Sequence, residues 1–277
     1  MTLILLTIVI ALAFEYINGF HDTANSIATV VSTKVLTPRQ AVLLAATMDL
    51  TGALVGTAVA KTIASGLVET SIVTSQVLIC ALLGAIVWNL VTWWFGLPSS
   101  SSHALIGGLC GAALAAAHGS WDVIVWSQPA SDHWWHGKGL LWKVLVPMVV
   151  SPLLGFTLGM LVMATLYIGL QKVRPTTINT VFGKLQILSS ASVGFMHGTN
   201  DAQKTMGIIA LALMAATTSG VFDHLPAPLH FLRTPAPAKG MSMEIAVWIK
   251  VLCALTMAAG TASGRTGAAR PWAPSPG

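Results

Sequence analysis

Two aspartates, Asp22 and Asp201, sit in short polar segments set inside otherwise apolar sequence. Residues 18 to 26 read NGFHDTANS and residues 197 to 205 read HGTNDAQKT. Aligned without gaps, Gly19 matches Gly198, His21 matches Asn200, Asp22 matches Asp201 and Ser26 matches Thr205. Each aspartate thus has Gly and Asn beside it in a matching context. A carboxylate, amide oxygens and backbone carbonyls together make an oxygen cage suited to a small hard cation. A third polar segment, PSSSSH at 98 to 103, has a different chemistry. Its serines, with Thr205, are neutral hydroxyl donors of the kind an oxyanion needs. Pro98 disfavours helix at the residue before it and suits a helix start. The serines then stand at a helix N-terminus, where free N–H groups and the helix dipole favour anions.

The surroundings of these segments are those of a membrane protein. Of 277 residues, 55% are hydrophobic and 8% charged, against about 25% charged in a soluble domain. Fourteen Lys and Arg with nine Asp and Glu are too few to cover a soluble surface. The net charge of +5 is scattered over loops, with no basic block that would suggest nucleic acid. Lys and Arg fall almost evenly on alternate sides of the apolar runs, so the positive-inside rule gives no orientation. Cys80, Cys110 and Cys253 lie singly in apolar runs, without metal or disulfide spacing, and read as buried thiols.

Apolar runs fall at 2–18, 41–60, 76–95, 104–117, 141–170, 185–216 and 243–260. A helix needs about 20 residues to cross a bilayer core, so the run at 104–117 reads as a half-helix or re-entrant segment. The first run has a small-residue pattern at Ala11 and Ala13. No Lys or Arg precedes it and a polar segment continues it, so it reads as a membrane helix and not a cleaved signal. Each copy of the aspartate motif interrupts an apolar run, which leads us to expect a helix that unwinds there and starts again. Such backbone is tolerated at membrane depth only where protein or a watery cavity satisfies it, and paired broken helices mark transporter sites. If each run crosses once, the two copies are an odd number of crossings apart and run in opposite directions, as an inverted repeat requires.

Ionisable side chains inside these runs cost roughly 2.5 to 3.5 kcal/mol each on insertion scales. The candidates are Glu15, Asp22, Asp49, Asp201, Lys204, Lys250, His21, His103 and His197. Asp201 and Lys204, three apart, can form a helical ion pair; Asp49 and Lys250 are expected simply to face the bundle interior. The Trp-rich segment 119–140 reads as an extramembrane loop, Pro147 and Pro152 as kinks in the fifth run, 171–184 as the join between halves and 219–240 as a second loop.

GFHDTAN at 19–25, GLPSSSSH at 96–103 and GTNDAQKT at 198–205 resemble the signatures of the PiT family of inorganic phosphate transporters. The closest likeness is to its bacterial low-affinity, proton-coupled members. The similarity runs to about Gly264, with three motifs in the family's order. It implies an all-α, polytopic transmembrane helical bundle with inverted repeats and discontinuous or re-entrant helices. It also implies Asp22, Asn25, Asn200 and Asp201 around the cation and phosphate site, and Ser100, Ser101 and Ser102 as phosphate ligands beside Thr205. The implied function is symport, not enzymatic: inorganic phosphate, in part as a complex with a divalent metal, crosses the cell (inner) membrane with protons or sodium. No covalently bound cofactor is implied. The implied partners are phosphate and lipid, with no nucleic acid, and a homo-oligomer is compatible. Family members carry a second serine-threonine-histidine segment late in the second repeat. None follows here, so the second repeat reads as incomplete.

The organisation expected is a first transmembrane repeat at 1–118, a loop, scaffold helix and linker at 119–184, an incomplete second repeat at 185–262 and an irregular tail at 263–277. Hydroxyls and helix N-termini suit sulfate as well as phosphate. Two membrane aspartates also meet the minimum for an intramembrane aspartyl protease, but that reading leaves the hydroxyl cluster without a role. His21, His103 and His197 form no local metal pair such as HExxH; as groups titrating near neutral pH they favour protons over sodium.

Overall fold

The computed structural model describes residues 1–55, 67–97, 99–128, 137, 139–235 and 244–264. Its architecture is helical, with seven α-helices among the described residues that answer one for one to the seven apolar runs. They are α1 (Thr2–Ser32), α2 (Pro38–Leu54), α3 (Ser75–Trp94), α4 (Ser101–Ala116), α5 (Val146–Leu170), α6 (Pro175–Thr218) and α7 (Val247–Ser263). The tail from residue 265, most of the loop between 129 and 138, and the end of the second run lie outside the described residues.

Local chemistry sets several of the ends. Thr37 caps α2 in a reciprocal capping box with Gln40, and Pro38 follows in the first turn. Thr74 caps α3 by accepting from the Val77 amide at 3.3 Å. Gly96, with φ of 64°, takes the left-handed position just past α3 that a side chain would disfavour. Ser100 caps α4, accepting from the His103 amide at 3.4 Å. The fifth run is one helical stretch in which a π turn, Leu141–Leu145, leads into α5. Pro147 lies in the first turn of α5 and removes an amide donor just after this wider turn; Pro152 lies inside the helix. The helix α6 begins at Pro175, so most of the stretch expected to join the halves is already helical.

Three helices, Thr2–Ser32, Ser75–Trp94 and Leu141–Leu170, are long and apolar enough to cross a membrane. No residue of α5 is buried, so its apolar side chains face outward all round, as lipid permits and water does not. The chain is therefore a multi-pass membrane protein. Its bundle is formed by α1, α2, α6 and α7, with the α3–α4 hairpin packed on α1 through α3.

The expected helix breaks are not found. Both motifs lie within continuous helices: residues 18–26 in α1 and 197–205 in α6. The physical reason is that neither segment contains proline, and His21, Asp22, Thr23, His197, Lys204 and Thr205 find partners on other helices. The backbone therefore keeps its intrahelical bonds, and the motif glycines serve close packing. A Cβ on Gly19 would run into the backbone of Met257 and Gly260 in α7, and one on Gly260 into Tyr16 of α1. Likewise a Cβ on Gly198 would meet the Asp49 carbonyl of α2, and one on Gly52 the Phe195 carbonyl of α6. Tyr16 and Phe195 each precede their motif glycine by three residues. Each motif helix thus crosses the second helix of the other half through an equivalent glycine pair, a repeat the sequence alignment reached in the motif only.

The opposed directions are found. Along α1 and α6, Thr33 donates to Gln186 at 2.6 Å, and the Ser190 hydroxyl donates to the Ser26 carbonyl at 2.6 Å. Asp22 then faces His197 at 3.7 Å, and Thr205 donates to Glu15. One number falls as the other rises, so the motif helices run antiparallel.

These crossings yield a stability prediction. Gly198→Ala forces a methyl onto the Asp49 carbonyl and should lower stability by about 1–3 kcal/mol. Gly155→Ala, in open space on α5, should be neutral or stabilise by up to about 1 kcal/mol. Thermal unfolding in detergent, followed by tryptophan fluorescence, separates the two; equal midpoints would contradict the glycine crossing.

Candidate functional site

The antiparallel crossing carries Asp22 of α1 against His197 and Asp201 of α6. Asp22 lies about 15 Å from the Ser32 end of its helix and about 30 Å from the Thr2 end at 1.5 Å per residue, well inside the bundle. Ligand atoms of Asp22, His197 and Asp201 lie within 4.8 Å of one another. The His197 Nε2 stands 3.7 Å from Asp22 Oδ2 and 3.8 Å from Asp201 Oδ2. On its other edge, His197 Nδ1 meets Asp49 Oδ1 at 3.0 Å, and Thr261 of α7 donates to Asp49 Oδ2 at 2.5 Å. One imidazole thus joins carboxylates from three helices. Asp49, expected only to face the interior, belongs to this centre.

Asp22 is held from several sides. Ser101 Oγ donates to Oδ2 at 3.1 Å. His21 Nδ1 lies 2.9 Å from Oδ1 and Asn25 Nδ2 donates to the same oxygen at 3.4 Å. His21 is itself oriented by Thr92 of α3, 3.2 Å from its Nε2. The tip of the α3–α4 hairpin therefore reaches the middle of α1. At 16 residues, α4 is about 24 Å long and starts at this depth, as a re-entrant half-helix would.

The expected ion pair is present: Lys204 Nζ lies 2.5 Å from Asp201 Oδ1. The same ammonium reaches Ser102, so one buried cation ties α6 to the first turn of α4. The amides of Ser101 and Ser102 precede the first intrahelical bond of α4, which Ala104 donates to Ser100. Among the described residues neither amide has a backbone partner, as at a helix start suited to an anion. Ser102, His103 and Lys204 also line a cleft of about 640 Å³, whose other walls include Ile106, Val144, Pro147 and Met148 with Lys143 and Ser151. Ser102 and Lys204 thus stand on the wall of a largely apolar cleft.

The structure brings together Asp22, Asn25, Ser101, Ser102 and Asp201. It places the other candidates differently. The Ser100 hydroxyl is used as the α4 cap. Thr205 is fully buried and donates to Glu15, one turn past the cluster. Asn200 is on the exposed side of α6. Of the cysteines, Cys253 alone is buried, Cys110 is half-buried and Cys80 exposed. Sequence reasoning gave Thr92 and Thr261 no place in the site. Lone threonines in apolar runs carry no signal until helices are paired.

A model of a phosphate transporter family matches residues 18–266. The chain belongs to the phosphate transporter family. Among members of that family, a probable low-affinity inorganic phosphate transporter of Bacillus subtilis is 41% identical over 89% of this chain and 70% of its own length. One of Mycobacterium tuberculosis H37Rv is 42% identical over 94% of this chain, which spans 54% of that protein. The chain thus covers about half the length of its mycobacterial relatives. A solved structure, the sodium-dependent phosphate transporter, shares the fold with a TM-score of 0.69 at 20% identity, over 96% of this chain and 77% of that one.

The ion pair sets a second prediction. Lys204→Met takes the ammonium away from Asp201 and should destabilise the protein by about 3–5 kcal/mol. Adding Asp201→Asn to that variant should restore more than half. Thermal unfolding of the two variants in the same detergent checks this, and a double variant no more stable than the single one would contradict the pairing.

Proposed function

We propose that this family member moves inorganic phosphate across the cell membrane as a symporter, using the centre at Asp22, His197 and Asp201 for the coupling cation. Ser101, Ser102, Lys204 and the N-terminus of α4 form the anion side. The observation that carries this reading is the double engagement of Lys204. Its ammonium holds a carboxylate of the cation side and a hydroxyl of the anion side at once. Arrival of an oxyanion at Ser102 competes with Asp201 for that charge, and the freed carboxylate is then compensated by an incoming cation. Anion and cation binding are coupled through one side chain.

The coupling has an electrical purpose. Each elementary charge moved through the membrane potential is worth about 2.3 kcal/mol per 100 mV, so an anion entering an inside-negative compartment needs positive company. A proton or a sodium ion fits the donor set: among the described residues His197 Nε2 has no hydrogen-bond partner, and it faces two carboxylates. Phosphate carried with a divalent metal would meet the same carboxylates as cargo. The protease reading fits poorly. A catalytic dyad shares a proton directly between its carboxylates, whereas here His197 and Lys204 engage the two aspartates.

Binding of radiolabelled phosphate to the chain in lipid nanodiscs tests the assignment. Asp22→Asn and the double variant Ser101→Ala, Ser102→Ala should each weaken it at least about tenfold, as expected for charge-assisted contacts. Excess sulfate should compete weakly. Unchanged binding in both variants would remove the site, and full competition by sulfate would favour a general oxyanion carrier. Uptake into proteoliposomes at two pH values, with and without sodium, identifies the coupling ion.

A further inference from the structure

Glu15 lies on α1 two turns from Asp22, about 10 Å away along the helix, and belongs to neither half of the centre described above. Its side chain is fully buried. Oε2 accepts from Thr205, and among the described residues Oε1 has no hydrogen-bond partner. One turn nearer the centre, Asn18 is 1% exposed, and among the described residues both its amide atoms are without partners. Glu15, Asn18 and Asp22 are spaced to share one stripe of α1.

The titratable groups that face Glu15 are His197, Asp201 and Lys204 on α6 and Cys253 on α7. Among the described residues, none of them forms a hydrogen bond or ion pair with it. The Lys204 ammonium engages Asp201 and Ser102. A bare carboxylate at this position would be a buried charge without a counter-ion, a severe penalty in a low-dielectric interior. A metal cation would need a cage of oxygens, and on this stripe of α1 the described residues leave only Glu15 Oε1 and Asn18 Oδ1 without partners. A proton needs one acceptor atom, and Oε1 is that atom. The resulting hydroxyl needs one acceptor in turn, and the buried Asn18 lies one turn along the same stripe of α1.

We propose that Glu15 is a proton-binding site of the transport cycle, separate from the Asp22, His197 and Asp201 centre. Its carboxylate takes a proton from hydronium, giving the carboxylic acid and water, and returns it on the other side, so that each anion moves with one positive charge. Thr205 connects this site to the first, because it follows Lys204 directly and lies four residues from Asp201 on α6. Movement of Lys204 toward an anion shifts the hydroxyl bonded to Glu15. The proposal rests on the reading of the chain as a phosphate symporter.

Infrared spectroscopy of the purified chain in lipid nanodiscs, near neutral pH, tests it without requiring turnover. The expected spectrum has a carboxylic-acid carbonyl band that shifts in heavy water and is lost in Glu15→Gln. Phosphate addition should move the band. Thr205→Val, which removes the donor to Oε2, should raise its frequency without abolishing it, and this arm stands even if Glu15→Gln fails to fold. Absence of the band in the unaltered chain, its survival in Glu15→Gln, or indifference to both phosphate and Thr205→Val would overturn the proposal. Radiolabelled phosphate binding to the same preparation tells the two readings apart. Binding without the band removes Glu15 alone, whereas the band without binding removes the symport reading and the coupling role with it.

Discussion

The structure depends on one constraint: carboxylates from three helices are buried together, and only paired or hydrogen-bonded charges survive such burial. His197 meets this need by standing between Asp49 on one edge and Asp22 and Asp201 on the other. Thr261, Ser101, His21, Asn25 and Lys204 supply further contacts. Every helix that touches the centre is fixed in depth and rotation by it. The apolar packing around the centre has no comparable directional demand. Leu78, Leu82, Leu105 and Leu109 could fill space in several arrangements, but Asp22 can face Ser101, His21 and His197 in one.

Close approach of the helices is the second requirement, because short side chains such as Asp, Ser and Thr cannot bridge widely spaced backbones. Gly19 against Gly260 and Gly198 beside Asp49 and Gly52 provide it. This is the membrane logic of small residues at crossings, where dispersion and polar contacts replace the hydrophobic drive between helices. The same glycines that looked like helix breakers therefore act as contact points. Their equivalence in the two halves gives the molecule its antiparallel symmetry and puts the two motif aspartates at one depth.

Much of this was legible in the residues. The seven apolar runs correspond to seven helices, and the matched placement of Asp22 and Asp201 foretold the convergence and the opposed directions. The serine segment foretold a helix start beside the aspartates, which Ser100 and Ser101 supply. The broken helices were misread because glycine in mid-run has two meanings, an unwound turn or a close crossing, and sequence periodicity does not distinguish them. Thr205 was misplaced for a related reason. Its match to Ser26 in the motif alignment carried no information on rotation, and in the helix it points to Glu15. Asp49 joins the centre through His197 and Thr261, partners 148 and 212 residues away in sequence, so no local pattern announces it.

The proposed function turns on phosphate contact with Lys204 at the buried meeting point of α4 and α6. Solid-state magnetic resonance measures this directly, as the dipolar dephasing of lysine side-chain nitrogen by phosphorus of bound phosphate in lipid. The account expects strong dephasing of one lysine signal, abolished in Lys204→Gln. Bound phosphate that dephases no lysine, or whose dephasing persists unchanged in that variant, would contradict it.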